Sequence, residues 1–202
     1  MDLDRVAAHD PVPVVDEERD AAVLVPIVER GGDPHLLFIK RASHLGEHPG
    51  QMGFPGGGRE PSDADLEATA LREAEEEISL HPHEVDLVGR LDDISTTSGY
   101  AVTPYVGHIP DRQYTPDEYE VDEIAVLPVD GLADHDNYEV ERREHPRYGE
   151  SLVHFFHVDG YTVWGATGRI LVQFLQLALD WEPRSASTGS STTTRRRPTR
   201  RR

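Results

Sequence analysis

Cysteine is absent from the 202 residues, and lysine occurs once, at Lys40. Without thiols the chain can form neither disulfides nor thiolate metal sites, so any metal it binds must be held by oxygen or nitrogen. The opening MDLDRVAAHD lacks the basic start and apolar core of a secretory signal. No run reaches the roughly 18 apolar residues needed to span a bilayer. The expectation is a soluble, cytoplasmic protein with no membrane partner, built as one domain with a sizeable core. The scarcity of lysine belongs with the charge balance: 20 basic residues face 38 acidic ones, for a formal net charge of −18. Such a surface suits very high salt, where screening removes the self-repulsion that would destabilise a compact state. A halophilic source is therefore expected, and most of the carboxylates are expected to be solvated surface.

Residues 21–30 (AAVLVPIVER) and 35–42 (HLLFIKRA) read as two strands joined by the turn GGDP, which makes an opening hairpin. Residues 43–58 carry six glycines and no clean periodicity, so they read as a loop able to approach a ligand closely. A helix follows, with Asp65 as its N-cap and Ala68, Leu71, Ala74 or Glu75, and Ile78 near one face. EVDLVGRLDDIS, AVTPYVGHI, EIAVLPVD and LVHFFHVDGYTVWG read as further strands, and YEVERREHPRYGE as a charged connection. A last helix, TGRILVQFLQLALDW, sets Ile170, Phe174, Leu177, Ala178 and Trp181 on one core-facing stripe. These signals divide the chain into an arm (1–20), a domain (21–182) and a Ser/Thr-rich, Arg-rich tail (183–202) expected to be disordered. Six of the last eight residues are arginine. They offer the only feature suited to nucleic acid, which is not the expected role, since they could equally meet the acidic body.

The stretch GFPGGGREPSDADLEATALREAEEEISL (53–80) concentrates the chemistry. Four glutamates, Glu73, Glu75, Glu76 and Glu77, crowd one turn of the helix, although like charges three and four residues apart repel by a few tenths of a kcal/mol each. Glu73 lies one turn below Glu76 and Glu77, so three carboxylates share a patch suited to a hard divalent cation, and Arg72 can orient Glu76 from position i to i+4. A solvated acidic helix face has the same composition. The glycines leading into the helix add an anion site beside the carboxylates.

This stretch resembles the box of the Nudix hydrolases. Gly57 matches its opening glycine, and Arg72-Glu73-Ala74-Glu75-Glu76-Glu77-Ile78-Ser79-Leu80 matches its catalytic half, with Asp63 where the first glutamate is expected and Ser79 in place of the later glycine. LLFIKRASHLGEHPGQMGFPGG is similar to the segment preceding the box in the coenzyme A pyrophosphatase branch, through Leu37, Arg41, Gly50 and Phe54 to Gly57. Ile39 and Gly46 stand where that branch has threonine and arginine. TSGYAVTPYVG and VWGATGRIL are also similar to it.

The resemblance implies a Nudix-type α/β/α sandwich with a mixed β-sheet between helices. It implies hydrolysis of the pyrophosphate of a nucleoside diphosphate linked to another moiety, here coenzyme A or a derivative. Arg72, Glu73, Glu76 and Glu77 would be catalytic, with the three glutamates holding Mg²⁺ or Mn²⁺. Arg41, Gly50, Phe54, Gly56 and Gly57 would bind substrate. Glu120 and Asp122 are candidates for the general base, and His44 and His48 for substrate contact. ADP-ribose or a nucleoside triphosphate as substrate, a non-catalytic nucleotide-binding module and a homodimer remain open.

Overall fold

Five residues of the apolar run, Ala22, Leu24, Val25, Ile27 and Val28, are fully buried, and a strand buried on both faces belongs at the centre of a sheet. The computed structural model describes residues 1–46, 49–145 and 149–185. In chain order the elements are α1 (Leu3–Ala7), β1 (Arg19–Arg30), β2 (Asp33–Arg41), β3 (Met52–Gly53), β4 (Gly56–Gly58), α2 (Leu66–Ile78), β5 (Asp86–Arg90), β6 (Ile94–Ser95) and β7 (Tyr100–Ile109). They continue with β8 (Val121–Pro128), α3 (Val129–Ala133), β9 (Tyr138–His145), β10 (Gly149–Val158), β11 (Tyr161–Trp164) and α4 (Gly165–Leu179).

The first hairpin forms where the sequence places it, with Gly31 and Gly32 taking the positive φ values of 65° and 92° that its turn needs. On its other edge β1 runs parallel to β7, from Arg19 opposite Tyr100 to Val28 opposite Ile109. The sheet order is β3-β2-β1-β7-β5, while β4, β6 and β8 pair with β1, β7 and β2. The end of the glycine loop thus becomes strand: Ala21, Ala22 and Val23 pair with Gly58, Gly57 and Gly56.

Side-chain alternation along β1 and β2 sends two apolar sets to opposite faces. Leu24, Val28, Leu37 and Ile39 pack with Ala74 and Ile78 of α2. Val25, Ile27, Leu36 and Phe38 face the other way, into a core with Ile170, Phe174 and Ala178 of α4 and Val6 of α1. The expected α/β/α sandwich with a mixed sheet between helices is what forms. Trp181 closes the α4 side, buried and with its indole N–H donating to the Ala133 carbonyl at 2.9 Å.

Other expectations change as well. The segment read as a charged connection contains β9 and the start of β10, in a second antiparallel sheet ordered β11-β10-β9. Its alternation is masked because only Tyr138 is buried and Val140 half-buried, while residues 141–144 are exposed. The ribbon there is held by backbone pairing and by surface ion pairs such as Arg142 with Glu150 at 2.8 Å. The run 152–165, read as one strand, is a hairpin that reverses at Asp159 and Gly160, with φ of 51° and 84°. Residues 1–20, which carry no periodic signal, contribute α1, whose Val6 is fully buried. The arginine-rich end of the tail lies outside the described residues. Among those described, no helix is long and apolar enough to cross a membrane.

Candidate active site

Helix α2 begins as the sequence indicates: the Asp65 carboxylate accepts from the Ala68 N–H at 2.8 Å and caps the first turn. It ends at Ser79, which takes the left-handed conformation (φ 55°) that a glycine usually supplies. Two contacts hold this residue: its hydroxyl donates to the Thr115 carbonyl at 3.2 Å, and its own carbonyl accepts from Arg112 at 2.9 Å.

Between these ends the box residues differ sharply in exposure. Glu76 shows 59% of its side chain to solvent, Glu73 14%, and Glu77 as a residue only 2%. Glu75, on the outer face, pairs instead with His81 at 2.7 Å. Arg72 organises the group. Its Nη1 lies 2.9 Å from both Glu73 and Glu76, its Nη2 donates to the Gly58 carbonyl at 3.0 Å, and Nε and Nη2 grip both oxygens of Asp63. Asp63 is itself buried and also accepts from the Glu60 N–H and the Thr69 hydroxyl, each at 2.9 Å. The Arg72 guanidinium holds the Asp63 carboxyl far below the usual carboxylate range.

The two inner glutamates lie against the glycine strand. Glu77 accepts from the Gly56 N–H at 2.8 Å. A Cβ on Gly57 would lie 2.5 Å from the Glu73 carboxylate carbon, so any side chain there would displace Glu73. Burial pushes the Glu77 carboxyl up to about 8, reinforced by the charges of Glu73 and Glu120, with Arg41 opposing. Burial also raises Glu73, against the pull of Arg72. Two desolvated carboxylates, a third at the surface and a fourth charge nearby make a donor set short of positive charge, which suits a divalent cation. Among the described residues, no three or more His, Asp or Glu side chains already stand at metal-ligand spacing. Glu76 in particular is turned to the Arg72 guanidinium.

Of the other residues singled out, Arg41 is half-buried and its Nε, shielded from solvent, has no hydrogen-bond partner. Gly50 takes φ 70° and returns its N–H to the Arg41 carbonyl at 3.0 Å. Phe54 is a core residue, stacked on Phe38 with centroids 4.7 Å apart, and anchors the glycine strand from below. Asp122 holds the loop by accepting from the Ser43 N–H, while the charge of Glu120 bears on both Glu73 and Glu77. His44 lies against Tyr119, and His48 is outside the described residues. Asp117, which sequence reasoning missed, ties this loop to the helix: its N–H donates to the Glu77 carbonyl at 2.9 Å. Its only sequence signal is an aspartate after a proline, a common turn pattern.

The NUDIX domain model matches residues 18–148. The chain belongs to the Nudix family. The Nudix hydrolase NudL of Enterobacter sp. (strain 638) is 40% identical over 169 residues, covering 82% of this chain and 85% of that relative. NudL of Escherichia coli O1:K1 / APEC is 41% identical over 159 residues, covering 76% and 79%. In fold, the chain is similar to a MutT/nudix family protein from Enterococcus faecalis, with a TM-score of 0.56, 13% identity, and coverage of 85% of this chain and 66% of that one. The Nudix match spans every carboxylate of the site.

Proposed function

We propose that this Nudix hydrolase cleaves the pyrophosphate bond of coenzyme A or its acyl derivatives with Mg²⁺ or Mn²⁺. The observation that carries the hydrolase reading is the position of Glu73 and Glu77, two desolvated carboxylates set together against the glycine strand. Glu73, Glu76 and Glu77 are the residues that would hold the metal, which supplies positive charge to the diphosphate. Arg72 holds Glu73 and Glu76 while Asp63 fixes Arg72, and a metal taken up here would draw Glu76 away from the guanidinium. Gly56 and Gly57 let a phosphate come against backbone. Arg41, whose charge already bears on Glu77, is proposed to meet a substrate phosphate through its guanidinium. Glu120 is the carboxylate proposed to take the proton of the attacking water.

The coenzyme A assignment rests on the likeness carried by Leu37, Arg41, Gly50 and Phe54 to Gly57. It is tested by a panel of coenzyme A, acetyl-coenzyme A, ADP-ribose and nucleoside triphosphates with Mg²⁺ or Mn²⁺ at high salt, the products being separated by chromatography. Coenzyme A should give 3′,5′-ADP and a phosphopantetheine product. Much faster turnover of ADP-ribose or a triphosphate rejects the assignment. Binding without turnover of any of them rejects the enzyme.

A further inference from the structure

Tyr119 is 68% exposed and, among the described residues, is the one Phe, Tyr or Trp left open to solvent. Its ring meets that of His44 at a centroid distance of 5.1 Å and an interplanar angle of 62°. The two rings form a corner, in which a planar group can stack on one ring with its edge toward the other.

This corner is fastened to the carboxylate site from two sides. The Asp117 N–H donates to the Glu77 carbonyl, and the Asp117 carboxylate accepts from the N–H groups of Tyr119 and Glu120 at 2.9 and 3.0 Å. On the other strand, the Ala42 N–H donates to the Glu120 carbonyl at 2.8 Å and the Ser43 N–H to Asp122 at 3.1 Å. His44 and Tyr119 therefore flank a residue, Glu120, whose charge bears on Glu73 and Glu77. A ligand with its diphosphate at the glutamates has aromatic surface within the same loop pair.

We propose that Tyr119, assisted by His44, stacks the nucleobase of the substrate and so selects nucleotide-linked diphosphates over bare ones. The proposal deepens the reading above, on which it rests for the placement of the diphosphate.

The test uses the full-length protein with Mg²⁺ and two non-hydrolysable probes, adenosine 5′-(α,β-methylene)diphosphate and methylenediphosphonate, which share the bridged phosphorus pair but not the base. Binding is measured by calorimetry for wild type, Tyr119→Ala, Tyr119→Phe, Tyr119→Trp and His44→Ala. Removing one base–aromatic stack should weaken the adenosine probe about tenfold in Tyr119→Ala. Phe and Trp at this position should restore binding, and methylenediphosphonate should bind all variants alike. His44→Ala should show a smaller loss confined to the adenosine probe. The proposal is overturned if Tyr119→Ala binds the adenosine probe as wild type does, if it loses both probes equally, or if wild type does not prefer the adenosine probe. Because neither probe is cleaved, a protein that hydrolyses nothing can still show the base-dependent loss. A working hydrolase can equally fail to show it.

Discussion

Asp63 and Arg72 meet through two hydrogen bonds, Nε to Oδ1 at 2.9 Å and Nη2 to Oδ2 at 3.1 Å, so a buried carboxylate sets the plane of the guanidinium that orients Glu73 and Glu76. Asp63→Asn keeps the shape but leaves the charge of Arg72 uncompensated on its buried side. Breaking a buried pair from one side should lower stability by on the order of 3 kcal/mol. At about 2–4 °C per kcal/mol for a chain of this size, the melting temperature should fall by roughly 6–12 °C. Turnover measured well below that temperature should fall too. An unchanged melting temperature would show that the fork adds nothing to the fold.

Glu76→Gln separates catalysis from stability. Spacing alone suggests that losing this charge relieves repulsion and leaves the fold neutral or slightly firmer. In the structure Arg72 balances Glu76 at 2.9 Å, so little repulsion is left to relieve. An exposed pair is worth at most about 1 kcal/mol, so melting with chelator should be unchanged or slightly lower. Initial rates across a Mg²⁺ titration should fall about a hundredfold or more if a metal ligand is weakened where charge develops. Near-normal rates at equal Mg²⁺ would make Glu76 a surface acid.

Gly56→Ala and Gly57→Ala should fail in different ways. At Gly56 a Cβ would stand 2.3 Å from the Ala22 carbonyl oxygen and 2.6 Å from the Val23 Cα, both backbone atoms of the central strand. At Gly57 it would meet only the movable end of Glu73. Gly56→Ala should therefore melt many degrees lower or fail to fold. Gly57→Ala should fold with little loss of melting temperature but lose most of its turnover as Glu73 is displaced. Equal melting losses in both variants would contradict the assignment of Gly57 to the site.

Arg112 clamps Glu84 with bonds of 2.6 and 2.9 Å and lowers its carboxyl from the usual 4.5 to about 2. A carboxyl lowered by folding stabilises the native state above its unfolded value, and that contribution disappears as protons are added through its folded value. Glu84→Gln should thus melt lower than wild type at pH 7, and the gap should close as pH falls from about 4.5 to about 2. Melting curves of both proteins across that window at fixed salt check it. A gap independent of pH would mean that the Gln packs poorly and the charge is idle.

Much of the carboxylate site could be read along the chain because it is local: Asp65, Arg72 and the glutamates occupy one helix, where spacing dictates the shared face. The position of Asp63 was visible only as a departure from a pattern, and its grip on Arg72 depends on how the loop folds back. Strand β9 escaped notice because its outer half is a polar ribbon with no core face to alternate against. The corner of His44 and Tyr119 is legible in neither segment alone, since it exists only where β2 and the loop before β8 come together.

The parallel pairing of β1 with β7 has a consequence for the order of assembly. The glycine strand β4 lies on β1. The partner on the far edge of β1 begins at Tyr100, well after the whole glutamate helix. Contacts between segments so distant in the chain form late, after loop closure has cost most of its entropy. A nascent chain that has released only its first 90 or so residues would carry every box side chain and still lack both β7, which covers the far edge of β1, and Glu120. Hydrolytic competence should thus be acquired only late in synthesis, after β7, the Glu120 loop and β8 have emerged and docked, and shorter chains should be silent toward substrate.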